Sequence, residues 1–270
     1  MTAFTLAYSE VAPSAPLARF VKCYWFLRGD AGGAAPVERI LPDGAFELVF
    51  HFGDPFLSNG EPQPPAMLVG QIRCPTLVQP SPRADVLGVR FQVGGAAAFF
   101  RESPLELRDQ ILPVQDVIRN SNEVMDTTSI GTRVAAVERL LLRRLRVPDR
   151  WGVARGVVSL IARRGGALRS RELCGMTGRT ERTIERAFAE CVGMTPKTFS
   201  RLVRFHACLA DPLQDHGYVD QAHLIHDFRT FAGVSPSQFR AEAHALSDAF
   251  IVPSRDAESD TAADRTEVDY

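Results

Sequence analysis

Apolar positions follow two different rhythms along this chain, and the change between them falls near residue 130. Over the first hundred residues they come in short runs: Phe46 to Phe52, Met67-Leu68-Val69, Thr76-Leu77-Val78 and Val86 to Phe91. Alternation with polar residues inside these runs is loose. Turn formers separate them, as at Pro42-Asp43-Gly44, Gly53-Asp54-Pro55 and Gln79-Pro80-Ser81-Pro82. Short β-type runs between frequent breakers predict the strands of a barrel or sandwich. Two helices are expected among them, at 95–101 after Gly94 and at 104–109, where Pro104 suits a first helical position. From Thr132 to Arg146 the period lengthens, with Val134, Val137, Leu141 and Leu145 at helical spacing. This helix stops before Val147-Pro148. Packing on its own domain is its first expected use, ahead of joining domains or pairing with a second subunit.

Beyond Pro148 the pattern stays helical to about residue 245, and it contains an internal repeat. Phe188, Gly193, Thr195, Pro196 and Phe199 have the same spacing as Phe228, Gly233, Ser235, Pro236 and Phe239, forty residues later. Such self-similarity marks a duplicated unit. In each copy a Phe ends one helix on its buried face and Gly closes that helix in the left-handed region. Thr or Ser then caps the next helix, Pro takes its first position, and the second Phe returns to the core. Upstream of the first copy, Val153 to Arg164 reads as a helix broken at Gly165-Gly166. Ser170 is expected to cap a short helix through Cys174, with a turn from Gly175 to Arg179. Thr180 then caps a third helix from Glu181 to Phe188. Two short helices across a tight turn make a helix-turn-helix.

The expected fold class is therefore α+β in two domains. The N-terminal part is mainly β, a cupin-like barrel or sandwich with helices, and the C-terminal part is an all-α helix-turn-helix array. Boundaries are expected at 1–125 for the β-rich domain, 126–150 for the connecting or packing helix, 151–245 for the helical domain and 246–270 for an acidic tail. The tail, polar with few apolar groups, is expected to be disordered.

Composition changes this picture only where it is unevenly distributed. An apolar fraction of 45% and a charged fraction of 23% suit a globular protein with a real core. No apolar run reaches the roughly 20 residues of a membrane span, and Met1-Thr2-Ala3-Phe4 does not open a secretory signal. A cytoplasmic protein without membrane partners is expected. Cys23, Cys74, Cys174, Cys191 and Cys208 are scattered and odd in number, as reduced thiols would be. Net charge is −1, yet residues 151–205 carry 11 basic and 4 acidic side chains, while 206–245 carry 2 and 5. One basic block in a neutral chain is the footprint of a local nucleic-acid module.

Within that block the helix after Thr180 carries the candidate chemistry. Arg182 and Arg186 lie on one face four residues apart, and Arg is suited to grip guanine through two hydrogen bonds. Glu181 and Glu185 can accept from cytosine and are the secondary base-contact candidates. Arg171, Arg179, Thr180, Lys197, Arg201 and Arg204 are the phosphate-contact candidates. In the second copy Gln221 can pair with adenine and His223 lies beside it.

At these residues the chain resembles the AraC/XylS transcription regulators. The resemblance rests on Glu181 to Arg186, Gly193-Met194-Thr195-Pro196-Lys197 and Arg201 to Phe205. It continues through Gly217 to His223 and from Phe228-Arg229 to Pro236. The N-terminal part is similar, through Arg39-Ile40-Leu41-Pro42-Asp43-Gly44 and Leu87 to Phe91, to a sensory domain attached to one branch of that family. The resemblance implies two helix-turn-helix units joined by a long helix and reading successive major-groove segments of double-stranded DNA. It implies an N-terminal domain that senses a small molecule or mediates dimerisation, and it makes RNA polymerase a candidate partner. It implies no cofactor.

Three features bear on how far the resemblance extends. Only eleven residues separate Phe205 from Gly217, too few for the remaining linker helix, a turn and another helix. With its net charge of −3 and exposed Asp220, Gln221, His223, His226 and Asp227, the second unit is expected to be weakly engaged. His223-x-x-His226 has usable metal-ligand spacing but no cysteine beside it, so no metal is expected. An enzyme is the rival class, since a cupin-like barrel can hold a catalytic metal. Residues 1–150 contain one histidine, His51, and the chain has no nucleophile elbow, phosphate loop or triad. The other alternative is a degenerate regulator that binds a ligand or dimerises with weak or no operator binding. Trp25, Tyr24, Phe46, Phe50, Phe52 and Phe91 are expected mostly as core, with a cavity lining as their second use.

Overall fold

The computed structural model describes residues 6–30, 35–212, 216–218 and 220–241. The acidic tail expected at 246–270 lies outside the described residues. Among the described residues the N-terminal part holds ten strands: β1 (Ala7–Val11), β2 (Val21–Asp30), β3 (Glu38–Ile40), β4 (Glu47–His51), β5 (Leu57–Ser58), β6 (Glu61–Pro62), β7 (Ala66–Val69), β8 (Thr76–Gln79), β9 (Arg83–Phe91) and β10 (Ile111–Pro113). They form a six-stranded sheet in the order β1-β2-β9-β4-β7-β10 and a four-stranded sheet in the order β3-β8-β5-β6. All pairings are antiparallel.

Both faces of the larger sheet are covered, and each selects its own set of side chains. Cys23, Trp25, Leu27, Val49, Met67 and Val86 form one buried cluster with Phe56. Tyr24, Phe26, Leu48, Phe50, Leu68, Leu87 and Val89 belong to a second cluster on the opposite face. Neighbours along a strand point to opposite faces. Where both faces are dry, the strand reads as a nearly continuous apolar run, which is why Phe46 to Phe52 shows so little alternation.

Helices α1 (Val114–Val117) and α2 (Asn122–Met125) are single turns, and α3 (Ile130–Arg144) packs on the sheet as expected of it. Arg133 near its start is buried and holds Asp85 on β9 through two bonds of 2.6 and 2.9 Å. Farther along, Glu138 accepts from the Ser14 amide and the Tyr24 hydroxyl. The helices expected at 95–101 and 104–109 do not form. A 3-10 turn spans Ala96–Ala98, and residues 104–109 make turns whose carbonyls face Gly70 and Gly193. Tertiary docking, not local propensity, shapes that stretch.

The C-terminal part is helical: α4 (Trp151–Arg163), α5 (Ser170–Thr177), α6 (Glu181–Cys191), α7 (Pro196–Ala210), α8 (Gln221–Phe231) and α9 (Pro236–Ala241). Its apolar residues continue the larger cluster, which runs unbroken from Leu17 to Phe239. The two parts thus share one core, with their packing surfaces fused where β-sheet and helices meet.

Candidate nucleic-acid interface

Helices α5 and α6 form the first helix-turn-helix. Thr180 has extended backbone and its hydroxyl accepts from the Thr183 amide, so α6 begins with a side-chain cap as expected. Ile184, Ala187, Phe188 and Cys191 make the inner face of α6. Two details differ from expectation. Arg169, not Ser170, stands at the cap of α5, where the Glu172 carboxylate accepts the Arg169 amide at 2.8 Å. The helix also runs through Gly175 to Thr177, which narrows the turn to Gly178-Arg179. Glu172 reaches back to the cap residue's own amide, half of a capping box, and the helix starts one residue earlier than expected.

Gly193 and Gly233 adopt φ of +86° and +75°. Each closes a helix before a Ser/Thr-Pro start, so the repeat in the sequence is a repeat in the backbone. The rings it places also meet: Phe188 lies 6.2 Å from Phe199, and Phe228 lies 5.9 Å from Phe239.

On the outer face, Glu181, Arg182, Glu185 and Arg186 are all exposed, and so are Arg171, Arg179 and Lys197. Among the described residues none of these seven side chains makes a hydrogen bond or ion pair. Several other arginines are spent: Arg133 on Asp85, Arg90 on Glu47, Arg150 on Glu190, and Arg83 on Asp54. The structure therefore leaves these seven first-unit candidates exposed with their charges uncommitted.

Arg201 and Arg204 on α7 are placed differently. Arg201 donates from Nε and Nη2 to Oδ1 of Asp227 at 2.9 and 2.7 Å. Asp227, expected to be exposed, is 3% exposed. Arg204 stacks over the Tyr218 ring at 4.8 Å and reaches the Gly217 carbonyl. Both cations tie α7 to the segment that follows. Neither pairing could be read from a charge count, because it depends on how α7 and α8 meet.

Helix α7 ends at Ala210 with Asp211 as its C-cap, and among the described residues between it and α8 no helix appears. Helix α8 nevertheless packs: Phe205 of α7 contacts Phe228 and Phe231 at 5.1 and 5.4 Å. Asp220 caps α8 by accepting from the His223 amide at 2.8 Å. Those bonds hold the Asp220 carboxyl below the usual range. The His223 ring lies 2.8 Å from the same carboxylate. Gln221, His223 and His226 are exposed. Among the described residues no group of three or more His, Cys, Asp or Glu is arranged to hold a metal, and no helix is long and apolar enough to cross a membrane.

Sequence reasoning missed the residues that join the two parts. Gln71 is fully buried and donates from Nε2 to the carbonyls of Gly44 and Val192 at 2.8 and 3.0 Å. His206 Nε2 lies 2.6 Å from the Pro42 carbonyl, and Arg39 donates to the Ala232 carbonyl at 2.9 Å. In the sequence the stretch Arg39 to Gly44 shows only a turn and part of a family resemblance. It proves to be the strip that touches α7 and the loop before α9. Gln71 carried no signal, because a lone Gln acquires meaning only from the carbonyls around it.

Residues 173–242 match the model of a family described as a helix-turn-helix domain, and residues 9–113 match that of a domain of unknown function, DUF6597. No curated protein matches the sequence. Among solved structures the chain is similar to ToxT from Vibrio cholerae in its P21 crystal form, at 8% identity and a TM-score of 0.39, over 88% of this chain and 98% of that one. It is also similar to an unsaturated fatty acid-bound ToxT from strain SCE256, at 10% identity and a TM-score of 0.34, over 88% and 95%. Likeness at that level carries no functional weight. The motif residues and the domain matches agree: residues 173–242 match a helix-turn-helix family and are similar in their motifs to the AraC-type regulators, and they are joined to a β-rich part that matches a domain of unknown function.

Proposed function

We propose that the protein is a sequence-specific transcription regulator that reads double-stranded DNA mainly through α6. The observation that carries this is the uncommitted state of Arg182 and Arg186 on one exposed face of the helix that follows the turn. Arg182 and Arg186 are assigned to base edges, with Glu181 and Glu185 beside them. Arg171, Arg179 and Lys197 are assigned to phosphates, and Thr180 presents its backbone there while its hydroxyl caps α6. Arg201 and Arg204 serve the α7–α8 junction first. Gln221 and His223 are secondary contacts.

Each bidentate Arg is worth about 1–3 kcal/mol against the wrong base. Arg182→Ala with Arg186→Ala should therefore weaken binding to DNA from upstream of the protein's own gene on the order of a hundredfold in a mobility-shift assay. Binding equal to the parent would reject the assignment. Gln221→Ala should change affinity less than about threefold.

We also infer that the N-terminal domain exerts control through a small ligand. Between the sheets lies an apolar cavity of about 110 Å³, lined among others by Trp25, Val49, His51, Phe56, Met67 and Val86. Its size suits a molecule no larger than about a benzene ring. Phenol, used as a probe, should raise the melting temperature of the parent and leave that of Val49→Phe, which fills the space, unmoved.

One observation favours a second reading, a degenerate module with little operator affinity: among the described residues no helix stands between α7 and α8. Affinity that falls steeply between low and physiological salt supports the regulator. A flat, weak response supports the module.

A further inference from the structure

A cleft of about 570 Å³ lies where the two parts of the chain join, lined by Ala97 to Arg101, by Arg143, Arg144 and Arg146, and by Val147 to Asp149. Four guanidinium groups and one carboxylate border it. Two of the cations have local explanations. Arg143 and Arg144 occupy the last turn of α3, where the helix dipole favours positive charge, and Arg143 also pairs with Glu123 at 2.9 Å. Arg144 is fixed in place, donating from Nε to the Phe99 carbonyl and from Nη2 to the Val117 carbonyl, both at 3.1 Å.

Arg101 and Arg146 have no such explanation. They come from separate segments, both are exposed, and among the described residues neither side chain has a hydrogen-bond or carboxylate partner. Nor does a carboxylate pair with Arg144. Burial lowers the Arg144 pKa; Glu102 nearby raises it and Arg101 lowers it, and the net shift is downward, so its charge is held there at a cost. Converging, partly anchored guanidinium forks in a concave site fit the planar oxygens of phosphates and carboxylates.

We propose that this cleft binds a compact anion with several phosphate or carboxylate groups, gripped by Arg101, Arg144 and Arg146. The linker that forms one wall leads directly into the DNA-binding domain. Arg146 donates its amide to the Ala98 carbonyl at 2.8 Å, Arg150 pairs with Glu190 near the end of α6, and Trp151 opens α4 against Phe20 at 4.7 Å. An anion here would fasten the Ala96–Ala98 turn, the end of α3 and this linker together.

DNA is the less fitting occupant. The Ala96–Ala98 turn packs on α6, and the neighbouring Gly94 faces Cys191 and Val192 at its C-terminal end. Helix α6 has 11 residues, about 16 Å of length, and its base-reading residues begin at the other end.

The test is calorimetric titration of the full chain with inorganic pyrophosphate and, separately, with citrate, which distinguishes phosphate from carboxylate chemistry. The parent should bind one of them at a single site, and Arg101→Gln with Arg146→Gln should bind it at least about tenfold more weakly. DNA affinity of that variant without added anion should match the parent. If the double variant fails to fold, Asp149→Asn decides the matter: removing the one lining carboxylate should tighten anion binding at least about twofold. No binding of either anion up to about 10 mM, equal binding by the double variant, or no tightening by Asp149→Asn would overturn the proposal. So would a uniform loss of DNA affinity in the double variant, which would make the cleft a DNA phosphate site. Because the titration reads anion binding directly, it stands whether or not α6 reads DNA.

Discussion

Asp227 and Arg201 show how one side chain changes role once its neighbour is known. Counted along the chain, they are an acid that repels phosphate and a base that attracts it. In the fold they neutralise one another, with the carboxylate buried and the guanidinium 27% exposed. Removing the cation strands a buried charge, which is costlier than losing the pair. Arg201→Ala should lower stability by about 2–3 kcal/mol, below the full cost of breaking a buried pair because Arg201 keeps some water contact. Adding Asp227→Leu should recover most of that loss in chemical denaturation. If the double variant is no better than the single, the pair is not what holds α7 to α8. Two histidines behave similarly. Burial pushes His51 and His206 below their ordinary value of 6.5, so the folded state holds them neutral while the unfolded chain takes up protons. Their stabilisation is complete above about pH 6.5 and is lost as pH falls through the depressed folded values. Denaturation at about pH 7.5 and about pH 5.5 should show lower stability at acid pH, and a smaller drop in His51→Gln with His206→Gln.

At the level of elements, the turns between helices are the sensitive points. Gly165 and Gly166 both adopt positive φ, but a Cβ on Gly165 would meet open space, whereas one on Gly166 would overlap the Ser200 carbonyl of α7. Gly165→Ala should cost about 1 kcal/mol from backbone strain alone. Gly166→Ala should cost at least about 2 kcal/mol more, because α4 and α7 must separate. Equal melting temperatures for the two variants would show that the α4–α7 contact yields easily. The strands carry a different lesson. Gly88 lies opposite Trp25, and a Cβ there would overlap the indole, so the pair reserves a flat space beside the cavity. In the sequence Gly88 only interrupts an apolar run; the cross-strand register makes it a matched partner.

Across the whole molecule, the N-terminal domain supports the second unit. Pro75 and Arg39 lie against Gly233, and Arg39 holds the Ala232 carbonyl just before α9. The second unit therefore leans on the β-domain as well as on α7. Arg39→Ala should speed amide hydrogen exchange in α8 and α9 while leaving α6 unchanged, since α6 is held by its own apolar face. Faster exchange in α6 as well would mean that the interface stabilises the helical domain as a unit.

Several features were legible from the sequence alone: the helical repeat, the Thr180 cap, the glycines that close α6 and α8, the first-unit surface and the shortage of residues after Phe205. Each depends on local physics. Spacing sets which side of a helix faces inward, φ selects Gly, and a hydroxyl caps the turn beside it. The pairing of strands β1 and β2 into the sheet, the burial of Asp227, the Gln71 and His206 contacts and the arginine cleft depend on tertiary structure. Those properties arise when segments far apart in sequence meet. An Arg is a phosphate ligand, an ion-pair partner or a cleft wall only after the fold has determined what stands within 4 Å of it.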